Sequence, residues 1–157
     1  MTPTAALLGS QALAIIRAAG RQPHARWTPT QGAIVLEALG HPHLRDAILA
    51  QLLDHQQTAE ALAHRRPADV RWLTEAHPPE VLDRAQQVLD RLEPAARTCD
   101  AATRDAVLAL RGFLLWSQGR PTAALTVLTE VSPSHGLGKL VRQLLVMGIQ
   151  PVGENRG

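Results

Sequence analysis

Residues 105–151 read DAVLALRGFLLWSQGRPTAALTVLTEVSPSHGLGKLVRQLLVMGIQP and decide the fold. Apolar residues from Ala106 to Trp116 cover most of a helical circumference, which predicts a central helix buried on more than one side. Gly119 and then Arg120-Pro121 predict its end, because glycine suits the left-handed position after a helix and proline suits the first turn of the next one.

The remainder of this stretch predicts two more helices, so that three short helices pack in a row. One runs from Ala123 to Leu128 and ends at Ser132-Pro133. The other ends at Gly148 and Pro151, with Arg142 on its polar side. Its buried face is predicted from apolar residues at three-and-four spacing: Leu137, Leu140, Val141, Leu144, Leu145 and Met147.

Small residues in this region resemble those of a tetratricopeptide repeat. Gly112, Gly119 and Ala124 match the positions at which that repeat closes a helical hairpin tightly. No second copy is visible at a spacing of roughly 34 residues, so the pattern favours a single tetratricopeptide-like hairpin over a repeat array.

A second resemblance extends over residues 40–151. It is carried by Trp116, Gly119, Ala124, Leu128, Pro133, Leu137, Leu144, Gly148 and Pro151, preceded by Arg45-Asp46 and Trp72. This order resembles the C-terminal helical half of an actinobacterial family of unknown function. Relative to that pattern, Arg120 replaces an acidic residue, His135 an aromatic one and Gly138 an alanine. Members also carry an additional N-terminal domain for which we expect this chain to have no room. The resemblance implies a fold and no activity.

Composition predicts one all-α domain. Apolar residues make up 45% of the 157 residues but aromatic residues only 3%, so the core must come from leucine, alanine, valine and isoleucine on helices. We expect a compact bundle of about six to eight helices over residues 1–151, followed by a flexible tail at 152–157.

Charge and cysteine content narrow the function classes. The formal net charge is +2, and the basic residues are almost all arginine and spread along the chain. A nucleic-acid binder usually gathers its basic residues on one face, so we expect no nucleic-acid partner. Cys99 is the single cysteine, which excludes an intrachain disulfide and a cysteine metal cluster. No apolar run is long enough to span a membrane, and we expect a cytoplasmic protein.

The N-terminal half reads as a series of short helices. A first helix starts at Thr4 or Thr2-Pro3 and ends at Gly20; a second starts at Thr28, with Pro29 at its first position and Gln31 completing a capping box. Pro42 starts a third helix, which bends or ends between Asp54 and Gln57.

Two further helices precede the central one. Arg66-Pro67 predicts a helix start toward Trp72. Residues 80–92 form the clearest amphipathic pattern, which Pro94 ends, with Glu80 and Arg84 able to pair on its polar side. Asp100 is a suitable cap for the central helix.

His41 and His43, with Asp46 and His55 nearby in sequence, are weak candidates for a metal site. Two histidines and a carboxylate can bind zinc or nickel. However, Pro42 begins a helix between the two histidines, and alternate residues there need not converge. We prefer to interpret them as solvated residues at a helix start, and we expect no metal and no cofactor.

The other reactive side chains do not form a catalytic pattern. Ser134 and His135 are adjacent and lack a third orienting residue, so we expect His135 to pack over the hairpin. Cys99 precedes Asp100, whose charge works against a lowered thiol pKa. Asp83 and Asp90 are spaced as on a solvated helix face. We therefore expect a protein that is not an enzyme.

Residues 35–64 support an alternative function. They resemble the opening helices of arsenic-repressor-type winged-helix regulators, through Ala38-Leu39-Gly40-His41-Pro42, Arg45, Ile48-Leu49, Leu52, Thr58 and Ala61-Leu62-Ala63. That resemblance implies a DNA-binding transcriptional regulator. A recognition helix and a β-hairpin wing should follow, and the sequence after Ala63 has neither pattern.

The preferred prediction is a non-catalytic helical module for protein interaction or scaffolding. Its partner would be a protein or peptide held on a concave helical face, and an uncovered apolar face would favour a homodimer. The predicted contact residues are Trp72, Arg111, Gln118 and Arg142. The three tryptophans, at 27, 72 and 116, are expected to pack in or beside the core.

Overall fold

A computed structural model describes residues 3–22 and 25–152. Within these ranges the chain consists of helices joined by connecting segments. The α-helices are α1 (Pro3–Arg21), α2 (Pro29–Leu39), α3 (Pro42–Leu52), α4 (Gln56–Ala63), α5 (Pro79–Ala96), α6 (Ala101–Ser117), α7 (Pro121–Leu128) and α8 (Gly136–Val146). A 3-10 turn spans Arg71–Leu73. The β-type pairing in the described ranges is one isolated parallel bridge, between Glu75 and Val152. The predicted all-α class is confirmed.

The helix starts follow the capping residues that the sequence indicates. The Thr28 side chain accepts a hydrogen bond from the Gln31 backbone N–H (3.1 Å), and the Gln31 side chain accepts one from the Thr28 backbone N–H (2.9 Å). Asp100 accepts from the Thr103 backbone N–H (2.9 Å), and this bond lowers the pKa of the Asp100 carboxyl. Proline occupies the first position of α2, α3, α5 and α7, where its missing N–H costs nothing.

Among the residues that the structure describes, four helices are followed by a residue in the left-handed conformation. Gly119 (φ +75°) and Gly148 (φ +67°) follow α6 and α8, as predicted. Asp54 (φ +65°) and Arg65 (φ +55°) take the same position after α3 and α4. At each end, the backbone N–H of the next residue bonds back to a carbonyl five positions earlier, as in a Schellman motif. The last two ends carry the strain that glycine would avoid.

The prediction of a helix that starts at Arg66-Pro67 is wrong. Only the short turn at Arg71–Leu73 forms there, and Trp72 is buried within it. The Asp69 carboxylate accepts from the Arg71 backbone N–H (2.9 Å) and from its guanidinium (2.6 Å). Such a local side-chain bond offers the backbone an alternative to helix formation.

Pro94 does not end α5, which continues to Ala96. Proline near a helix end loses one backbone bond, and the helix extends because Ala96 is buried in the core. Arg84 pairs with Asp54 of the α3–α4 turn (2.5 Å) rather than with Glu80 of its own helix. The first helix ends at Arg21, one residue beyond the predicted Gly20.

α6 lies at the centre of the molecule, as its apolar circumference predicts. It contacts α2, α5, α7 and α8, and Phe113 is fully buried. α7 packs tightly on α6 at Gly112, where a β-carbon would lie 2.9 Å from Leu128 Cδ2. α1 to α4 pack on one another, and α5 contacts α1, α2 and α3 as well as α6. One hydrophobic core therefore joins both halves.

The chain end returns to the loop that precedes α5. The backbone N–H of Val152 donates to Thr74 O (2.6 Å), and that of Ala76 donates to Val152 O (2.8 Å). Residues 153–157 of the predicted tail lie outside the described residues. Thr2, which belongs to one predicted start of the first helix, also lies outside them. No helix in the described ranges combines the length and the apolar character needed to cross a membrane.

Candidate functional site

A concave surface lies between the C-terminal ends of α6 and α8 and the start of α7. We call it the C-terminal groove, and its volume is about 420 Å³. It is lined by Trp116, Ser117, Gln118, Gly119, Pro121, Leu144, Leu145, Gly148, Ile149, Gln150 and Pro151. These residues come from three elements that the helix-ending glycines bring together.

The two glycines shape the groove by turning the chain sharply. Gly119 sends the chain from α6 into α7, and Gly148 sends it from α8 across the end of α6. A β-carbon at either glycine would meet nothing within 4 Å, so both positions face open space. The Trp116 indole N–H donates to Ile149 O (2.8 Å) and fixes the returning segment against α6.

The chemistry of the groove is apolar and uncharged. None of the described side chains that form its lining is ionisable, and leucine, isoleucine, proline and tryptophan are among them. Two helix C-termini and the start of α7 meet there, so their opposite partial charges offset one another. The groove therefore suits an uncharged, apolar segment.

Two of the predicted contact residues belong to a polar network between α5 and α6. The Arg111 guanidinium donates to Asp90 (2.7 Å), Glu93 (2.9 Å) and Gln86 (2.8 Å). Gln118 accepts from Gln86 (3.4 Å) and donates to Asp83 (3.3 Å). The acidic residues of α5 thus bind side chains of α6, and Gln118 extends from this network to the groove.

The other two predicted contact residues are used inside the fold. The Arg142 guanidinium donates to Leu128 O (2.6 Å) and Val131 O (2.5 Å), so it satisfies carbonyls at the end of α7. Trp72 is 4% exposed and packs its ring on His55 (centroids 5.9 Å apart). The structure brings Arg111 and Gln118 together but leaves Trp72 and Arg142 in separate places.

The histidines proposed as weak metal candidates do not form a ligand set with their neighbours. The rings of His41 and His43 lie 6.1 Å apart, and Asp46 pairs with Arg45 (2.9 Å). Burial, with Arg65 and His41 nearby, lowers the pKa of His43. Among residues 3–22 and 25–152, no three His, Cys, Asp or Glu side chains are arranged to hold a metal ion.

His135 acts as the N-cap of α8, a role that its sequence position did not reveal. Its Nδ1 accepts from the Gly138 backbone N–H (3.2 Å). The neutral ring must then carry its proton on Nε2, so Nε2 can donate but cannot accept a proton. Burial lowers the pKa of His135, and the positive charge of Arg45 adds to this effect. Ser134 shares a hydrogen bond with Ser132 instead (Oγ to Oγ, 3.0 Å).

Cys99 is half-buried, and its Sγ lies 3.5 Å from Ala95 O, the carbonyl to which it donates.

His55 and His77 form a contact that no sequence pattern indicates, with their Nε2 atoms 3.0 Å apart. Burial and the neighbouring His55 lower the pKa of His77. Since the two residues are 22 positions apart, only the folded chain could have shown this pair.

Comparison of the chain with protein-family models, with curated proteins and with solved structures gives no match.

Proposed function

We propose that the protein is a non-catalytic interaction module that holds an uncharged, apolar peptide segment of a partner protein in the C-terminal groove. The observation that supports this most strongly is the uncharged lining of a groove of about 420 Å³. Binding sites of this size are typically concave and largely apolar, with a few polar groups that fix orientation. Gln118 extends from the α5–α6 network to the groove and supplies such a group.

The rigidity of the groove walls also supports this proposal. α6 and α7 approach closely because Gly112 leaves room for Leu128, and Ala124 is fully buried in the same interface. We propose that this pair is a hairpin of tetratricopeptide-like design. A preformed surface loses little conformational entropy when a ligand binds, which favours recognition by helical modules of this kind.

The arrangement of the reactive side chains favours a binding role over catalysis. The capping bond at His135 Nδ1 occupies the nitrogen that would otherwise accept a proton. Arg111, Asp90 and Glu93 are mutually paired, so they do not offer a free acid or base. Neither feature provides a nucleophile beside a general base.

The test uses a random peptide display library with two matched variants of the first turn of α7. Pro121 lines the groove and is exposed, and Thr122 is also exposed but does not line it. Glutamate suits the first turn of a helix, so P121E and T122E should both fold. P121E places a charge at the apolar surface, where an unpaired charge is costly to desolvate.

We expect apolar peptides to be enriched on the wild type, to bind P121E about tenfold more weakly and to bind T122E normally. Enrichment of charged peptides, or equal binding to both variants, would overturn the proposal. Sedimentation equilibrium adds a second readout. A dimer that P121E dissociates and T122E does not would show that a second copy of the chain occupies the groove, which would also overturn it.

A further inference from the structure

A second cavity lies on the other half of the molecule, between α1, α3 and α5. Its volume is about 290 Å³, and its apolar floor includes Ile16 and Val88. Three arginines line it: Arg17 and Arg21 from the end of α1, and Arg84 from α5. These arginines are 4 to 67 positions apart in sequence, so the concentration of positive charge arises only on folding.

The arginines are only partly neutralised by the protein. Arg17 donates from Nη2 to Gln51 (3.0 Å) and to Glu60 (3.3 Å), whereas its buried Nε has no hydrogen-bond partner in the described part of the chain. Asp54 accepts from Nη2 of Arg84 (2.5 Å). Arg21 is exposed and makes no ion pair with the residues that the structure describes. Three positive charges thus face two carboxylates, with a surplus of one.

The start of α4 offers further donors at the cavity. Gln56, the first residue of α4, lines the cavity, and its N-cap residue His55 makes no capping side-chain bond. The first backbone N–H groups of a helix lack intrahelical acceptors and carry partial positive charge. The ends of α1 and α3 lie at the same cavity and carry the opposite partial charge, so the arginines determine the sign of the site.

Gly20 lines the cavity beside Arg84. A β-carbon at Gly20 would lie 3.7 Å from Arg84 Nε, which is an ordinary contact distance. Asp54 engages a single nitrogen of Arg84, which leaves the rest of that guanidinium available. A planar guanidinium presents five N–H donors in a fixed geometry that suits phosphate oxygens.

We propose that this cavity binds the phosphate group of a small phosphorylated molecule, with Arg17, Arg21 and Arg84 as its donors. A phosphate monoester carries a charge of about −1.5 to −2 near neutral pH and has three strong acceptor oxygens. A carboxylate has less charge and fewer acceptor oxygens to bind several arginines. The site shares no residue with the C-terminal groove, so the two proposals stand independently.

The test is calorimetric titration of the full chain with inorganic phosphate and with pyrophosphate, at constant ionic strength set with sodium chloride. Two substitutions should move the affinity in opposite directions. R21Q removes an exposed donor and should weaken binding about tenfold. D54N removes the competing carboxylate while retaining a residue that tolerates the left-handed conformation, and should tighten binding about threefold or more. R120Q serves as the matched control, because Arg120 is exposed and lies outside the cavity.

Saturable heat from phosphate or pyrophosphate, with an affinity about tenfold lower in R21Q and unchanged in R120Q, supports the proposal. The proposal is overturned if neither probe binds at about 10 mM, a concentration well above a millimolar dissociation constant. It is also overturned if R21Q and R120Q behave alike, or if titration with sodium chloride alone produces the same saturable heat. Circular dichroism of each variant checks that the helices remain intact.

Discussion

The close approach of α6 and α7 at Gly112 predicts an unusual response to alanine. In an open helix, replacing glycine by alanine stabilises by about 1 kcal/mol, because alanine has the higher helix propensity. At Gly112 the new methyl group would lie 2.9 Å from Leu128 Cδ2 and 3.0 Å from its Cγ. Leu128 is fully buried and cannot move away without displacing other core side chains. Overpacking of this kind costs about 1–3 kcal/mol, so we expect G112A to destabilise the fold by about 1 kcal/mol net.

Gly32 provides the matched control. It lies inside α2, and a β-carbon there would meet nothing within 4 Å. G32A should therefore raise the free energy of unfolding by about 0.5–1 kcal/mol, opposite in sign to G112A. The measurement is urea unfolding monitored by circular dichroism. The free energies of unfolding are compared between variants that have the same m-value.

A double substitution tests the physical cause. L128V removes one methylene from the contact and alone should cost about 1 kcal/mol. Combined with G112A, the added methyl group takes up the vacated space, so we expect a favourable coupling energy of about 1 kcal/mol. Two results would contradict the close approach of α6 and α7: G112A stabilises the protein as much as G32A does, or the effects of G112A and L128V are additive.

Three further predictions concern helix ends. R65G should stabilise by about 0.5 kcal/mol, because Arg65 holds φ +55°, whereas R66G at the next residue, which has no such conformation, should destabilise; urea unfolding distinguishes them. T28A should lower the free energy of unfolding by about 1 kcal/mol through loss of the α2 capping box, and T28S should restore it. Protonation of His135 removes the acceptor that caps α8; since its folded-state pKa is lowered from 6.5, its contribution to stability is complete above pH 6.5 and is lost as pH falls through the folded-state value. H135N keeps a capping side chain that does not titrate, so its stability should fall less steeply with acid than that of the wild type, and equal slopes would contradict this role.

Local signals in the sequence predict most of the helix boundaries. Thr28, Asp100 and the prolines at the helix starts act through neighbours three or four residues away, so their effects can be derived from sequence alone. Gly119 and Gly148 were predictable for the same reason. The left-handed residues at Asp54 and Arg65 were not, because only the tertiary packing of α3 and α4 compels a non-glycine residue to adopt that conformation.

Errors arose where a local signal competed with another interaction. Pro67 is a typical helix start, but the Asp69 carboxylate binds the Arg71 backbone and produces a short turn instead. Pro94 is a typical helix end, but burial of Ala96 continues α5 past it. In both places the contact that determines the structure leaves a less distinctive pattern in the sequence than the proline near it does.

The candidate sites were harder to predict because arginine has two different roles in this chain. Arg111 and Arg142 look like surface residues in sequence, yet their donors are taken up by side chains and carbonyls 10 to 25 positions away. Arg21 has the same local appearance but lies beside a cavity without an ion-pair partner in the described residues. Because the difference depends on long-range contacts, composition and spacing cannot separate a structural arginine from one available to a ligand. Function is therefore best sought at the C-terminal groove and at the arginine-lined cavity.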